Sequence, residues 1–246
     1  MRLRTGTKTP RQGGFTLIEL LVVIAVIGIL AGLILPVLAE SRKAAQKTHC
    51  MSNQSQLFKA VRIFDDELDR FNEKYPDHLV NLYLAGAYAK EKRLFQCPLD
   101  PTAGKEGGKP NICASQYPET DEGPGKNGLP TEAPYSSYLY EFNGSKCSWY
   151  GGATVVNGES LDKDGNGWLS WQEVKFFQQK NGDNFLFSLG YNSEYPRTWF
   201  PMIRCFWHAR DPDKDTERWI TNMSMDGNPF DSGPKWELVA IENLPK

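Results

Sequence analysis

Apolar and polar positions follow two regimes along the first third of the chain. From Leu20 to Ala39 run 20 consecutive residues without a charge. As a helix they span about 30 Å, the thickness of a bilayer's hydrocarbon core. Beyond Pro36 the pattern becomes one-sided, with apolar residues at Met51, Phe58, Val61, Phe64, Leu68, Phe71 and Tyr75. Most steps are of three or four residues, which marks one stripe of an amphipathic helix. Arg62, Asp65, Asp66 and Asp69 fall on the other face, and Pro76 supplies the stop. A single helix over residues 15–75, about 90 Å long, is therefore expected.

Residues 77–92 read as a second, shorter helix, after which LFQCPLDP turns the chain. Residues 101–134 carry loop signals in GKEGGKP and DEGPGKNGLP. Aromatic and β-branched runs then predict strands at Ser137 to Phe142, Phe185 to Leu189, Trp199 to Trp207, Trp219 to Met225 and Trp236 to Ile241. Turns such as Asp226-Gly227-Asn228 separate them. A long helix ahead of an antiparallel sheet gives an α+β fold. With seven Trp, ten Tyr and thirteen Phe, a body over residues 76–246 can build its own core.

Charge sets the orientation. Arg2, Arg4, Lys8 and Arg11 precede the apolar run, and no acid accompanies them. Only Arg42 and Lys43 follow closely, so the positive-inside bias keeps the N-terminus cytoplasmic and exports the body. Of 28 basic residues, those four lie in the leader, leaving 24 against 30 acidic and a body net of -6. Such a body argues against nucleic acid as a partner.

Glu19 is the anomaly in this segment. An unpaired carboxylate at mid-helix costs about 2.5 to 3.5 kcal/mol in lipid, less near the interface. A cleaved secretory signal is one reading, since Val37-Leu38-Ala39 offers small residues to a peptidase, but the apolar run exceeds the usual length. A plain anchor with Glu19 snorkelling to the headgroups is another. Neither explains Gly13-Gly14.

Gly14-Phe15-Thr16-Leu17-Ile18-Glu19, entering an apolar helix, resembles the class III signal of type IV prepilins and type II secretion pseudopilins. The resemblance implies cleavage by a prepilin peptidase between Gly14 and Phe15, removing residues 1–14, with N-methylation of Phe15. Glu19 then becomes the fifth mature residue, and Pro36 falls where many of these helices bend. It also divides the helix into a transmembrane and polymerising half, 15–39, and an amphipathic half, 40–75. In a helical stack Glu19 would face the amine of Phe15 in a neighbour, because a buried carboxylate is tolerable only when paired. In the body, CPLDP, SSYLYEFN and His208 ahead of NMSMDGN resemble a group of pseudopilin-like proteins.

A second motif carries chemistry. Residues 162–173, DKDGNGWLSWQE, fit a twelve-residue EF-hand loop. Asp162, Asp164 and Asn166 take positions one, three and five, and Gly167 the sharp turn at six. Trp168 would offer its carbonyl, Ser170 a direct or water-mediated oxygen and Glu173 a bidentate carboxylate. Hard oxygen donors at these intervals suit Ca²⁺. NGES ahead of the loop is too short for an entering helix, whereas VKFFQQK can form the exiting one. The loop thus resembles a single dockerin-like half-hand with a structural role.

Of five cysteines, Cys97, Cys113, Cys147 and Cys205 lie in the body, where export permits disulfides among them, and Cys50 sits just past the apolar run. No CxxC occurs, which leaves a zinc ribbon or thioredoxin-type site unsupported. The three histidines, His49, His78 and His208, sit in no catalytic motif, and no hydrolase or nucleotide-binding signature is present. The expected function is non-enzymatic. The expectation is a type II secretion pseudopilin of the inner membrane, assembled with copies of itself and related pseudopilins on an inner-membrane platform. A type IV pilus subunit and a membrane-displayed adhesin or carbohydrate-binding protein are the alternatives.

Overall fold

The computed structural model describes residues 15–68, 75–105, 107, 122–148, 154–156, 158–181, 194–208 and 220–233. The strands expected at 185–189 and 236–241, the leader and Cys113 lie outside them. The chain divides into two compact units, residues 1–45 and 46–246.

Helix α1, Leu17–Leu68, is continuous for 52 residues and passes through both units. Pro36 lies inside it, and having no N–H it cannot donate to the carbonyl of Gly32 four residues back. In the first unit every described side chain is exposed. The α1 segment of this unit is the element, among the described residues, whose composition suits a membrane span.

In the second unit α1 buries Cys50, Asn53, Gln54, Leu57, Ala60 and Val61. This face is rotated from the expected stripe. Met51, Phe58 and Phe64 are only half-buried, flanking it. Two polar residues sit at its centre because each carries a bond into the body. The Asn53 amide donates to the carbonyl of Gln96 at 3.1 Å, and the Gln54 amide to that of Thr221 at 3.2 Å. These bonds satisfy the two buried amide nitrogens and offset part of the cost of burying them, while Gln54 Oε1 has no hydrogen-bond partner among the described residues.

The main sheet has four antiparallel strands in the order β1 (Leu139–Tyr140), β4 (Pro201–Cys205), β5 (Ile220–Ser224) and β6 (Pro229–Ser232). A separate hairpin pairs β2 (Val155–Val156) with β3 (Glu159–Ser160). Side-chain alternation divides the sheet between two cores. Tyr138, Tyr140, Ile203, Cys205 and Met223 join the core that contains Leu57 and Val61 of α1. Leu139, Phe206 and Ile220 join the second core, with Trp171, Val174 and Phe177 of helix α3 (Trp171–Asn181).

On that second side lies a buried ion cluster. Glu141 accepts from the Arg204 guanidinium at 2.9 Å and pairs with Lys175 of α3 at 3.2 Å. Arg204 also donates to Asn222 Oδ1 at 3.1 Å. Burial alone would push the Glu141 carboxyl up, but the Lys175 and Arg204 charges hold it below its ordinary value. Removing one member would leave a buried charge uncompensated.

The expected helix over 77–92 is a single turn, α2 (Asn81–Leu84). Gly86 at φ 70° ends it, and the chain is next helical only in the 3-10 turn Lys92–Phe95. Glu122 fixes the entry, its carboxylate accepting the amides of Leu79 at 2.7 Å and Val80 at 2.9 Å. Strand β6 was not expected: it starts on a proline, as an edge strand can, and only Ser232 is fully buried in it.

The β5–β6 turn touches α1. Gly227 adopts φ 82°, and a Cβ there would lie 2.5 Å from the Phe58 ring. Gly227→Ala combines strain with a clash, so we expect a loss of about 1–3 kcal/mol, read by denaturant unfolding of the detergent-solubilised chain. An unchanged midpoint would show that the turn is not held against α1. His78 gives a pH signature. Burial lowers its pKa to about 4, and its Nδ1 lies 3.0 Å from the Asn143 amide. The unfolded chain binds the extra proton below about 6.5, so this contribution is whole above that pH and drains away down to about 4. His78→Gln should flatten the dependence of Tm on pH across that window, and an unaltered slope would refute the assignment.

Candidate functional site

The front of α1 is built around Thr16 and Glu19. Thr16 precedes the first helical residue, and its amide and hydroxyl donate to Glu19 Oε2 at 2.8 and 2.7 Å. The Glu19 amide donates back to the Thr16 hydroxyl at 3.3 Å. This is a capping box, Thr-x-x-Glu, in which two orphan amides of the helix end are satisfied reciprocally. The signal stands in the sequence as Thr16-Leu17-Ile18-Glu19, and a reading of Glu19 as a lone carboxylate misses it. Phe15 is 84% exposed and Leu17 87%, so none of the described residues covers the apolar surface beside the carboxylate. Gly14 lies outside the described residues.

The loop at 162–173 forms a compact nest of donors around Asp162. Asp162 Oδ1 accepts from the amide of Gly165 at 2.7 Å, and its Oδ2 from that of Gly167 at 2.8 Å. These two glycines take φ 72° and 85°, the left-handed conformations that turn the backbone around the carboxylate. The amides of Gly167, Gly165 and Asn166 hold the Asp162 carboxyl below its ordinary value. Carboxylate oxygens of Asp162, Asp164 and Glu173 all lie within 4.8 Å of one another. Asn166 instead accepts the Trp168 amide on its Oδ1 at 2.9 Å and donates its own side-chain amide to Asp164 at 2.7 Å.

Glu173 has a second task. Its Oε2 accepts the Ser170 amide at 2.9 Å while the Glu173 amide donates to Ser170 Oγ at 3.2 Å, a capping box that starts α3. Its Oε1 accepts the Lys163 amide at 2.7 Å. The expected exiting helix is therefore present, and it begins on a proposed ligand. The loop's far side pairs with the chain itself: the Cys147 amide donates to Leu169 and the Trp171 amide to Ser145, at 2.8 and 3.0 Å. Residues 145–147 thus pair along this side of the loop, with Lys146 and Ser170 forming an antiparallel bridge. Asp77 lies close enough that burial, and then the Asp164 charge, push its carboxyl up.

Cys97 and Cys205, expected among possible disulfide partners, form no disulfide among the described residues. Cys147 sits in the second core. Cys97 and Cys205 converge instead with Cys50 of α1 and with His208, their donor atoms all within 4.8 Å. Hydrogen bonds from Cys205 and then Cys50 hold the Cys97 thiol well below its ordinary value, while burial pushes Cys205 well up. Sequence spacing concealed this set, because its members stand 47, 108 and 3 residues apart along the chain.

With this geometry in place, the likeness to known proteins becomes specific. Residues 9–35 match the prokaryotic N-terminal methylation motif. The type II secretion system core protein G of Escherichia coli is 36% identical over 103 residues, covering 38% of this chain and 68% of that protein. The core protein G of Aeromonas hydrophila is 35% identical over 101 residues, covering 37% and 68%. The type IV major pilin protein PilA of Myxococcus xanthus is 35% identical over 71 residues, covering 29% of this chain but only 32% of that protein. No solved structure matches with significance. The chain belongs to the prepilin and pseudopilin superfamily, whose long helix and antiparallel sheet it shares. It is a pilin-type structural subunit rather than an enzyme. Its N-terminal motif and apolar helix fit a protein anchored in the inner membrane.

Proposed function

We propose that the chain is a pseudopilin of a type II secretion filament. The observation that carries this reading is the match to core protein G, which extends over 103 residues and so well past the methylation motif. In this reading a prepilin peptidase cuts between Gly14 and Phe15 and methylates the new terminus. The four basic residues of the leader hold that end in the cytoplasm. The body then lies outside the membrane. Subunits leave lipid for an inner-membrane assembly platform and stack through α1, with related pseudopilins among the neighbours.

The exposed apolar surface of the first unit supports such stacking, since it needs either lipid or other helices around it. Glu19 of one subunit would meet the amine of Phe15 in the next, and Pro36 would accommodate the bend. A type IV pilus subunit is the second reading, favoured by the 71-residue match to a major pilin.

Replacing Glu19 by alanine separates assembly from anchoring. The variant should be cleaved and inserted as before, yet yield few filaments when expressed with a type II platform. Normal filament yield would refute the role of the carboxylate. Filaments formed on a pilus platform and not on a secretion platform would favour the pilus reading.

Calcium is a second part of the proposal, carried by the convergence of Asp162, Asp164 and Glu173. Three carboxylates gathered around one point repel one another, and a hard divalent cation relieves that repulsion. Trp168 and Ser170 would complete the oxygen set with Asn166 after a side-chain turn. The ion would brace the start of α3, and with it Lys175 of the buried cluster. Added Ca²⁺ should raise the Tm of the detergent-solubilised chain and chelator should lower it. In Glu173→Gln, which keeps a capping acceptor, the shift should shrink several-fold; an equal shift in that variant, or none in the parent chain, would sink the assignment.

A further inference from the structure

A donor set of different chemistry lies on the α1 side of the sheet. Cys50 comes from α1, Cys97 from the turn that follows the 3-10 turn at Lys92–Phe95, Cys205 from the last position of β4, and His208 from the turn three residues later. The three cysteines are buried and the histidine half-buried. All four donor atoms fall within 4.8 Å of one another, and Cys97 Sγ lies 3.3 Å from His208 Nε2. Tetrahedral zinc with bonds of about 2.3 Å to sulfur and 2.0–2.1 Å to nitrogen needs sulfur–sulfur separations of about 3.8 Å and sulfur–nitrogen separations of about 3.6 Å. The 3.3 Å between Cys97 Sγ and His208 Nε2 and the 4.8 Å bound on every other pair are compatible with those spacings.

The surroundings are organised for thiolates. The Leu99 amide donates to Cys97 Sγ at 3.4 Å and the Gln54 amide to Cys50 Sγ at 3.7 Å. Gln54 is itself held by the Thr221 carbonyl, and the Cys97 turn is pinned through the Gln96 carbonyl by Asn53 at 3.1 Å and Tyr138 at 3.3 Å. Partners of this kind orient ligands and raise metal affinity. A disulfide would use two of the sulfurs and leave a buried thiol and an imidazole edge with no shared purpose. One cation uses all four groups. Soft sulfur with imidazole selects zinc, whereas the all-oxygen loop at 162–173 selects calcium.

We propose that Cys50, Cys97, Cys205 and His208 form a structural zinc site of the Cys3His type, fastening α1 to the sheet and to the turn at Cys97. Four protein ligands close the coordination sphere, which makes the site structural and not catalytic.

The test uses the full chain in detergent, prepared with zinc sulfate and freed of loose metal on a desalting column. Metal analysis should find one zinc per chain, and replacement by cobalt should give thiolate-to-metal charge transfer with the strong d–d absorption of tetrahedral coordination. Cys50→Ser and His208→Gln should each lose the bound zinc, while Cys147→Ser, outside the cluster, should retain it. The parent chain is measured directly, so a variant that fails to fold leaves the test standing. Absence of zinc from the folded parent would overturn the proposal. So would a disulfide between two of these cysteines in chain recovered from its native compartment, or full zinc retention in Cys50→Ser.

Discussion

The body depends on one packing event, the seating of α1 from Cys50 to Val61 on one face of the four-stranded sheet. The strands are two to five residues long and cannot hold a sheet by their ladders alone. They become a stable layer because Leu57, Ala60 and Val61 cover one face while Trp171, Val174 and Phe177 cover the other. The hydrophobic term supplies the energy, at about 25 cal/mol per Å² of apolar surface removed from water. Polar bonds from Asn53 and Gln54 then fix where along the sheet the helix rests, a register that apolar contact alone leaves loose.

The second side of the sheet is specified differently. Glu141 of the segment after β1, Arg204 of β4 and Lys175 of α3 meet in a space from which water is excluded. Such a cluster contributes little net stability compared with a hydrophobic filling of the same shape. Its effect is on choice of arrangement, since α3 can dock only where Lys175 finds the carboxylate. The loop at 162–173 leads directly into α3, so its conformation and the ion cluster bear on the same helix.

Much of this was legible beforehand. The charge-free run from Leu20 to Ala39 and the stripe after it announced one long helix, and α1 is that helix. The EF-hand spacing predicted an exiting helix, and α3 follows. What escaped was decided by contacts between distant segments. A hydrophobic stripe drawn through Met51 and Phe58 is one residue out of phase because hydropathy cannot anticipate that Asn53 and Gln54 will find carbonyls at Gln96 and Thr221. The segment 77–92 read as a helix, yet Gly86 turns left-handed there and ends it after one turn. The cysteine and histidine cluster has no local spacing to detect, since its members come from separate elements and meet only after the sheet forms.

The capping box at the front of α1 has a consequence for how a filament of such subunits would grow and shrink. In the single chain Glu19 already has partners, the amide and hydroxyl of Thr16. Meeting a neighbour's amine would therefore be an exchange of partners and not the rescue of a stranded charge. An exchange releases less free energy than a rescue, and it leaves a low-cost state to return to. A polymer joined in this way would be easily dismantled, its subunits returning to the membrane with their carboxylates satisfied by Thr16.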